Sequence, residues 1–186
     1  MRRIVCFGDS LTSGHGIGTA AAYPAVLQDK IRRGGLAFEV VNAGVSRSTS
    51  ADALQRLDAA LTGDVRVLVL ALGANDGFRG VPAAQLKANL TRIIEAAQTR
   101  RIAVLLCGME ALPLYGWDYT VAFHDVYADL ARRYQLPLVP FMMAALIGRP
   151  QMLLPDRLHP NAAGARAIAD LIWPHLEPML APAMSR

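Results

Sequence analysis

Four polar side chains with complementary chemistry stand in turn-like stretches of this sequence. Ser10 follows a short apolar run, Asn75 follows another, and Asp156 precedes His159 by three positions before a final helical pattern. A serine hydroxyl becomes a good nucleophile when an imidazole accepts its proton, and a carboxylate then orients the imidazole and stabilises its cation. The set therefore indicates acyl transfer on Ser10, with His159 as the base and Asp156 as the acid that orients it.

Acyl transfer also requires hydrogen-bond donors for the negatively charged oxygen of the tetrahedral intermediate. The candidates are the backbone N–H of Ser10, a backbone N–H from the loop that contains Gly44 and Arg47, and the side-chain amide of Asn75. The turns after parallel strands gather at one edge of a sheet, so a parallel sheet would bring these groups together.

Each of these residues also has an ordinary structural explanation. A serine after a strand is most often a turn or helix-capping residue, and asparagine and aspartate are common in turns. We interpret the other histidines as structural, because they lack a suitably spaced carboxylate in a turn: His15, His124 and His175. The joint occurrence of hydroxyl, amide, carboxylate and imidazole favours the catalytic interpretation.

Short apolar runs alternate with amphipathic stretches along the chain, as in folds built from βαβ units. The predicted strands are Ile4–Phe7, Phe38–Asn42, Val65–Ala71, Ala103–Cys107 and Leu138–Val139. The predicted helices are Ala21–Arg33, Ala51–Leu61, Pro82–Arg100, Tyr119–Tyr134 and about Asn161 to Leu180, the last kinked or frayed by Pro174 and Pro178. Ser50 and Asn161 are suitable N-caps. The pattern predicts a three-layer α/β/α sandwich with a parallel sheet, forming one domain over residues 1–186.

The composition excludes several classes of protein. The chain is 53% hydrophobic and 18% charged, which argues against intrinsic disorder. Its net charge of +4 comes from scattered basic residues, so we expect no nucleic-acid partner. Cys6 and Cys107 fall in predicted interior strands and suggest neither a disulfide nor a metal site. With no signal peptide and no run of about eighteen apolar residues, the sequence as written predicts a cytoplasmic protein, or a periplasmic or secreted one if it is a processed mature form.

Three motifs, in this order and at these spacings, resemble blocks of the SGNH hydrolases, also called GDSL-type lipases and esterases. Gly8-Asp9-Ser10-Leu11 is similar to the first block, Gly73-Ala74-Asn75-Asp76 to the third, and Asp156-Arg157-Leu158-His159-Pro160 to the fifth. The resemblance covers nearly the whole chain. It implies a flavodoxin-like five-stranded sheet of order 2-1-3-4-5, a Ser10–His159–Asp156 triad, and no cofactor or metal. Asp9 is then expected to hydrogen-bond the turn.

Further segments are similar to the bacterial branch of this family that contains arylesterases and a multifunctional thioesterase, protease and lysophospholipase. They are Asn75–Gly80, Leu112–Gly116 and Pro137–Phe141. The resemblance implies hydrolysis of small-molecule carboxylic esters, with short-chain or aryl esters expected first and thioesters and lysophospholipids next. It also places apolar residues at the edge of the site, where they would either line an acyl groove or pack in the core: Phe78, Leu112, Leu114 and Tyr115.

The second block departs from the family pattern, which commonly reads Asn-x-Gly-x-x-Gly. Asn42 and Gly44 are present, but Arg47 stands where the family has the later glycine, whose N–H contributes to the oxyanion hole. The backbone N–H of Arg47 can still serve if φ there suits a residue other than glycine. Its side chain would then lie near the mouth of the site, where it would attract an anionic substrate or partly block the pocket.

Two functions of other classes are alternatives. Gly16, Gly18 and Ala21 fit the Gly-x-Gly-x-x-Ala pattern of nucleotide-binding loops, with Glu39 about twenty residues further on, but this pattern should open directly after the first strand. The second alternative is a non-catalytic binding protein derived from a hydrolase. A measured dinucleotide affinity would favour the first alternative, and a Ser10 that does not react with a fluorophosphonate would favour the second.

Overall fold

A five-stranded parallel sheet forms the centre of the protein, whose residues 1–180 are described by a computed structural model. The strands are β1 (Arg2–Gly8), β2 (Phe38–Gly44), β3 (Val65–Ala71), β4 (Ala103–Cys107) and β5 (Leu138–Val139). Their order is β2-β1-β3-β4-β5, and every neighbouring pair is parallel. The predicted sheet is therefore confirmed, with β1 and β2 slightly longer than expected. Residues 181–186, which the predicted domain includes, lie outside the described part of the chain.

Helices cover both faces of the sheet. They are α1 (Ser10–Ser13), α2 (Tyr23–Arg33), α3 (Ser50–Gln55), α4 (Leu57–Ala60), α5 (Ala74–Phe78), α6 (Ala83–Thr99), α7 (Trp117–Tyr134) and α8 (Ala162–Leu176). α2 packs against α8, whereas α6 packs against α3 and α7. α2 connects β1 to β2 at one edge of the sheet, and the later helices connect to strands on the other side of β1. With right-handed crossovers, α2 therefore lies on the opposite face of the sheet from the helices that lead toward β3, β4 and β5. The layers are those of the predicted α/β/α sandwich.

Burial on both faces explains why the strand sequences are so uniformly apolar. The residues Ile4–Phe7 of β1 and Val67–Ala71 of β3 are at most 1% exposed. A fully buried Val, Leu or Ile side chain stabilises a fold by about 1.5–3 kcal/mol, so these strands account for much of the core. Cys6 and Cys107 are buried there as free thiols. Burial raises the pKa of Cys6 to about 12, so this thiol is chemically inert.

The predicted helix Ala51–Leu61 is wrong in its continuity and in its cap. The chain forms α3 and then α4, with a break at Arg56. Thr49, rather than Ser50, caps α3 in a reciprocal capping box with Asp52. The break matters for the site because the side chain of Arg56 extends to the edge of the sheet.

The final helix follows the prediction at its start and is shorter at its end. Asn161 caps α8, since its Oδ1 accepts hydrogen bonds from the N–H groups of Ala163 (3.0 Å) and Gly164 (3.1 Å). α8 contains Pro174 and ends at Leu176, and a 3₁₀ turn then continues over Glu177–Met179. The change of helix type coincides with Pro178, as expected from a residue that lacks an N–H.

Two short helices, α1 and α5, stand where the sequence predicted only turns. α1 begins at Ser10, which carries the candidate hydroxyl, two residues after the end of β1. α5 begins at Ala74, one residue before the candidate amide of Asn75. Among the described residues, no helix is both long and apolar enough to cross a membrane.

Candidate active site

The turn after β1 places Ser10 at the carboxyl edge of the sheet. Ser10 is the first residue of α1, so its N–H has no acceptor within that helix. Asp9 caps the helix by accepting a hydrogen bond from Leu11 N–H at 3.0 Å. This is the structural role expected for Asp9. Gly8 is required by close packing, since a Cβ there would lie 2.0 Å from Thr12 Oγ1.

Ser10, His159 and Asp156 form a connected chain of hydrogen bonds, although Ser10 and His159 are 149 residues apart. The Ser10 hydroxyl lies 3.0 Å from His159 Nε2, and His159 Nδ1 lies 2.7 Å from Asp156 Oδ2. With its proton on Nδ1, the neutral ring donates to the carboxylate and offers the lone pair of Nε2 to the hydroxyl. General-base activation of a serine requires this arrangement.

The loop around Asp156 holds its carboxylate in place. Oδ1 accepts hydrogen bonds from the backbone N–H groups of His159 (3.0 Å) and Leu158 (2.9 Å), which leaves Oδ2 for the imidazole. These bonds, the His159 N–H first among them, hold the pKa of Asp156 well below its usual range. The carboxylate is therefore ionised at neutral pH, even though the side chain is 43% exposed.

Two backbone N–H groups beside the cavity are available to an oxyanion. Within residues 1–180, neither the N–H of Ser10 nor that of Arg47 donates to a protein acceptor. Arg47 has a φ of 68°, in the left-handed region that glycine enters most easily. An arginine there costs about 1–2 kcal/mol of backbone strain. The loop thus keeps a glycine-like conformation, and a backbone N–H, without a glycine.

Gly44 is not available as an oxyanion donor, and its assignment to the oxyanion hole is wrong. Its N–H already donates to Asn42 Oδ1 at 3.0 Å, and Asn42 Nδ2 donates to the carbonyl oxygen of Thr12 at 2.8 Å. A Cβ on Gly44 would lie 2.3 Å from the backbone nitrogen of Ser13. The residue is glycine because β2 and α1 approach each other closely at this point.

The side-chain amide of Asn75 borders the same cavity as Ser10. Its Nδ2 donates to the carbonyl oxygen of Ser48 at 3.0 Å and makes a longer contact of 3.4 Å with Asp9 Oδ2. The first bond orients the amide. The second is weak at that length, so the N–H that makes it can be shared with a stronger acceptor such as an oxyanion.

Arg56 connects the two turns that carry Ser10 and Arg47, and the sequence analysis missed it. Nη1 donates to the carbonyl oxygen of Ala43 (2.6 Å) and Nη2 to that of Gly8 (2.7 Å), at the ends of β2 and β1. The guanidinium also lies 4.2 Å from the ring centroid of Phe7, where a cation is attracted to the π-face. The break between α3 and α4, which releases Arg56 from a helical surface, leaves no clear sequence signal.

Burial of Asp9 predicts an unusual dependence of stability on pH. Burial raises the pKa of Asp9 from 3.8 to about 6, so the folded protein binds more protons than the unfolded chain between these values. The free energy of unfolding should therefore fall as pH rises through this window, by about 3 kcal/mol for a shift of this size. The free energy of unfolding is measured in urea at several pH values between about 4 and 7. It should fall less steeply with rising pH in Asp9→Asn than in the wild type.

A matched comparison isolates this effect from other acids. Asp118→Asn changes an exposed acid on the first turn of α7. Its free energy of unfolding should vary with pH as steeply as that of the wild type. Equal slopes in the wild type and Asp9→Asn would show that the raised pKa of Asp9 does not govern stability.

A mostly apolar cavity of about 500 Å³ opens beside Ser10, Asn75 and His159. Phe78 and Leu112 line it as predicted. The sequence analysis did not single out the other apolar residues that line it: Leu11, Ala74, Met109, Ala111, Phe141, Met143, Leu146, Ile147, Leu153 and Leu158. Several of these follow β4 and β5 at the same sheet edge, and this position was the signal that could have found them.

Tyr115 and Leu114 do not line the cavity, so their assignment to an acyl groove is wrong. Tyr115 Oη donates to the carbonyl oxygen of Phe78 at 2.9 Å, and a Cβ on Gly80 would lie 2.7 Å from the Tyr115 ring. Tyr115 therefore supports the cavity wall from behind. Leu114 is 62% exposed.

Two of the three remaining histidines, which the sequence analysis interpreted as structural, have side-chain partners that it did not predict. His15 stands beside His159, with ring centroids 4.5 Å apart. His124 does have a carboxylate partner, because its Nδ1 lies 2.8 Å from Glu110 Oε1. His175 lies in the last turn of α8. Neither of the first two contacts has a signal in the sequence, since each joins residues on separate elements.

The glycine-rich stretch of the nucleotide-binding alternative does not have the required context. Gly16 and Gly18 lie in a loop between α1 and the 3₁₀ turn Thr19–Ala21, so α1 separates them from β1. The fingerprint requires its first glycine directly after the strand. The stretch is a loop that leads into α2.

Comparison with known proteins identifies the family. A family model described as GDSL-like lipase/acylhydrolase matches residues 6–167, which include Ser10, Asn75, Asp156 and His159. The chain belongs to this family. The resemblance stated for the sequence motifs is thereby confirmed.

Individual relatives cover nearly the whole chain. An esterase, TesA, of Pseudomonas aeruginosa is 36% identical over 178 residues, which is 95% of this chain and 89% of that protein. A thioesterase, protease and lysophospholipase of Escherichia coli is 34% identical, over 95% of this chain and 84% of that protein. The crystal structure of a psychrotrophic esterase, EstA, from Pseudoalteromonas, inhibited by monoethylphosphonate, has a TM-score of 0.90 at 29% identity and covers 96% of this chain and 98% of that one.

Proposed function

We propose that this chain is a serine hydrolase that cleaves carboxylic esters through an acyl-enzyme on Ser10. The observation that carries the proposal is the hydrogen-bond chain from Ser10 through His159 to Asp156, placed at an apolar cavity. Membership of the GDSL-like lipase/acylhydrolase family supports it.

The reaction follows from the geometry. Ser10 Oγ attacks the ester carbonyl carbon while His159 Nε2 accepts its proton, and ionised Asp156 stabilises the imidazolium. As the tetrahedral intermediate collapses, His159 gives the proton to the leaving alcohol. Water then attacks the acyl-enzyme by the same route and releases the acid and Ser10.

Three donors stabilise the oxyanion in this proposal. They are the N–H groups of Ser10 and Arg47 and the Nδ2 of Asn75, of which the Ser48 carbonyl already fixes the orientation. Donors that are fixed before the reaction need no reorganisation when the charge develops. The loss of one such donor typically lowers the rate by about two to three orders of magnitude.

The lining of the cavity indicates the substrate class. Its apolar walls suit the acyl chain or aryl group of an ester, so short-chain and aryl esters are our first candidates, and thioesters and lysophospholipids follow. Arg47 and Arg157 also line the cavity, whereas the lining acid Glu110 is engaged by His124. The excess of positive charge in the lining favours substrates that also carry a negative group. The compared relatives include an enzyme named for thioesterase and lysophospholipase activities.

Covalent labelling tests the proposal directly. A fluorophosphonate should phosphonylate Ser10 and add its mass to one peptide, because only a serine activated by a base reacts at a useful rate. Ser46→Ala is the matched control, since Ser46 also lines the cavity but its hydroxyl bonds, among the described residues, to Ser13 Oγ (3.0 Å) and not to a histidine. Labelling should persist in Ser46→Ala and disappear in Ser10→Ala. An unlabelled wild type would instead support a non-catalytic binding protein.

A substrate panel then distinguishes the candidate esters. Aryl esters, thioesters and lysophospholipids of matched acyl length are compared by kcat/KM on the same enzyme. The dependence of kcat/KM on acyl length reports how far the acyl group of the substrate extends into the cavity.

A further inference from the structure

His15 stands beside the proposed triad, and the hydrolytic mechanism gives it no role. It follows α1, and its N–H donates to the carbonyl oxygen of Ser10 at 3.1 Å. This bond fixes the backbone of His15 next to the nucleophile. The His15 ring stands against the His159 ring at a centroid distance of 4.5 Å and an angle of 42°.

Together with Asp156, the two histidines bring three metal-binding groups to one point. One nitrogen from His15, one from His159 and one carboxylate oxygen from Asp156 all lie within 4.8 Å of one another. The ligand atoms of a tetrahedral Zn²⁺ with bonds of 2.0–2.1 Å lie about 3.3 Å apart. His15 is exposed and only its backbone is fixed, so rotation of its side chain can close the difference without a change in the core.

The donor set selects among metals. Two imidazoles and one carboxylate, with a fourth position open to water, are a common set of Zn²⁺ ligands. Imidazole nitrogen favours Zn²⁺, Cu²⁺ and Ni²⁺, whereas Mg²⁺ and Ca²⁺ prefer sites made of oxygen atoms. The class of ligand is therefore a borderline transition-metal cation, and Zn²⁺ is the probe of choice.

We propose that His15, Asp156 and His159 form an inhibitory Zn²⁺ site that takes the catalytic base out of use. The inhibition rests on the proposed function, whereas the binding does not. If Zn²⁺ occupies Nδ1 of His159, the neutral ring carries its one proton on Nε2 and donates toward Ser10 instead of accepting from it. If Zn²⁺ occupies Nε2, it takes the lone pair itself. Either mode stops proton transfer from Ser10. The first mode moves the ring proton from Nδ1 to Nε2 through solvent, and the second leaves that proton on Nδ1.

Inhibition by buffered free Zn²⁺ tests the proposal. The rate of aryl acetate hydrolysis should fall to near zero as Zn²⁺ saturates the wild type, and a chelator should restore it. Loss of an outer-shell partner weakens metal sites about 10–100-fold, so loss of a ligand in His15→Asn should raise the inhibition constant at least about tenfold. Each rate is normalised to the same variant without zinc. Mg²⁺ at equal concentration should not inhibit.

A matched histidine and a binding measurement complete the test. His124→Asn, which removes an exposed histidine with its own carboxylate partner, should keep the wild-type inhibition constant. An unchanged constant in His15→Asn would overturn the site. Calorimetry on Ser10→Ala should show one Zn²⁺ bound per chain, and the double variant Ser10→Ala/His15→Asn should lose that binding.

These readouts separate the two proposals. Zinc binding that depends on His15, in a wild type that hydrolyses no ester, would retain the metal site and reject the esterase. Ester hydrolysis with a zinc inhibition constant that is the same in the wild type and in His15→Asn would retain the esterase and reject the metal site.

Discussion

Ser10→Ala is expected to lower kcat on a short aryl acetate about a million-fold. In the structure, the Ser10 hydroxyl has its hydrogen bond to His159 Nε2 at 3.0 Å, and alanine removes both the nucleophile and that bond. His159 and Asp156 cannot compensate, because triad members act as a unit and the loss of the nucleophile alone removes nearly the whole effect. The residual rate should reflect binding and the oxyanion donors.

Steady-state kinetics on purified protein measure this loss, with two controls. Ser46→Ala should retain kcat, since Ser46 is a cavity serine without a histidine partner. The thermal midpoint of Ser10→Ala should stay close to that of the wild type, because Ser10 is partly exposed. A Ser10→Ala enzyme with wild-type turnover would reject the acyl-enzyme mechanism.

Asp156→Asn is expected to lower kcat about 10⁴-fold while the loop keeps its shape. The amide oxygen of asparagine can still accept from the backbone N–H groups of Leu158 and His159, which now bond to Oδ1. The NH₂ group must then face His159 Nδ1, so the imidazole accepts there and carries its proton on Nε2. The ring is in the wrong tautomer to accept the proton of Ser10.

Kinetics over a range of pH distinguish this loss of the base from unfolding. Asp118→Asn, an exposed acid outside the cavity, should keep wild-type kcat. A loss of less than tenfold in Asp156→Asn would mean that another group orients His159. Fluorophosphonate labelling of Asp156→Asn should slow in parallel with kcat, since both depend on the same base.

The elements that the sequence predicted well are those that local pattern determines. The strands are uniformly apolar because both faces are buried, so runs such as Val65–Ala71 were found with their bounds. Asp156 and His159 are three residues apart on one turn, and their contact followed from spacing alone. The contact of His159 with Ser10 spans 149 residues, and it followed from the rule that parallel strands present their turns at one edge.

The errors arise where a side chain acts on a distant element. Tyr115 lies in the predicted segment but hydrogen-bonds the backbone of Phe78 from outside the cavity. Gly44 is a local exception, because its N–H donates to the side chain of Asn42, only two residues earlier in β2. The side chains of His15 and Arg56 reach across the sheet edge to partners that neither periodicity nor spacing can indicate.

Arg47 shows how a motif can lose its residue and keep its conformation. The φ of 68° at Arg47 matches a position for which glycine is the usual choice, and the Arg47 carbonyl accepts a bond from Arg79 Nη2 at 3.0 Å. Sequence alone could state this only as a condition on φ. The surrounding loop supplies the stabilisation that the strained residue needs.

The hydrogen bonds from Arg56 to the carbonyl oxygens of Gly8 and Ala43 have a mechanical consequence. A guanidinium is planar and stiff, so it acts as a spacer of constant width between the ends of two adjacent strands. Arg56 therefore links the strand end that leads to Ser10 with the strand end that leads to Arg47. In the proposed mechanism, this link holds the separation of the Ser10 hydroxyl and the Arg47 N–H.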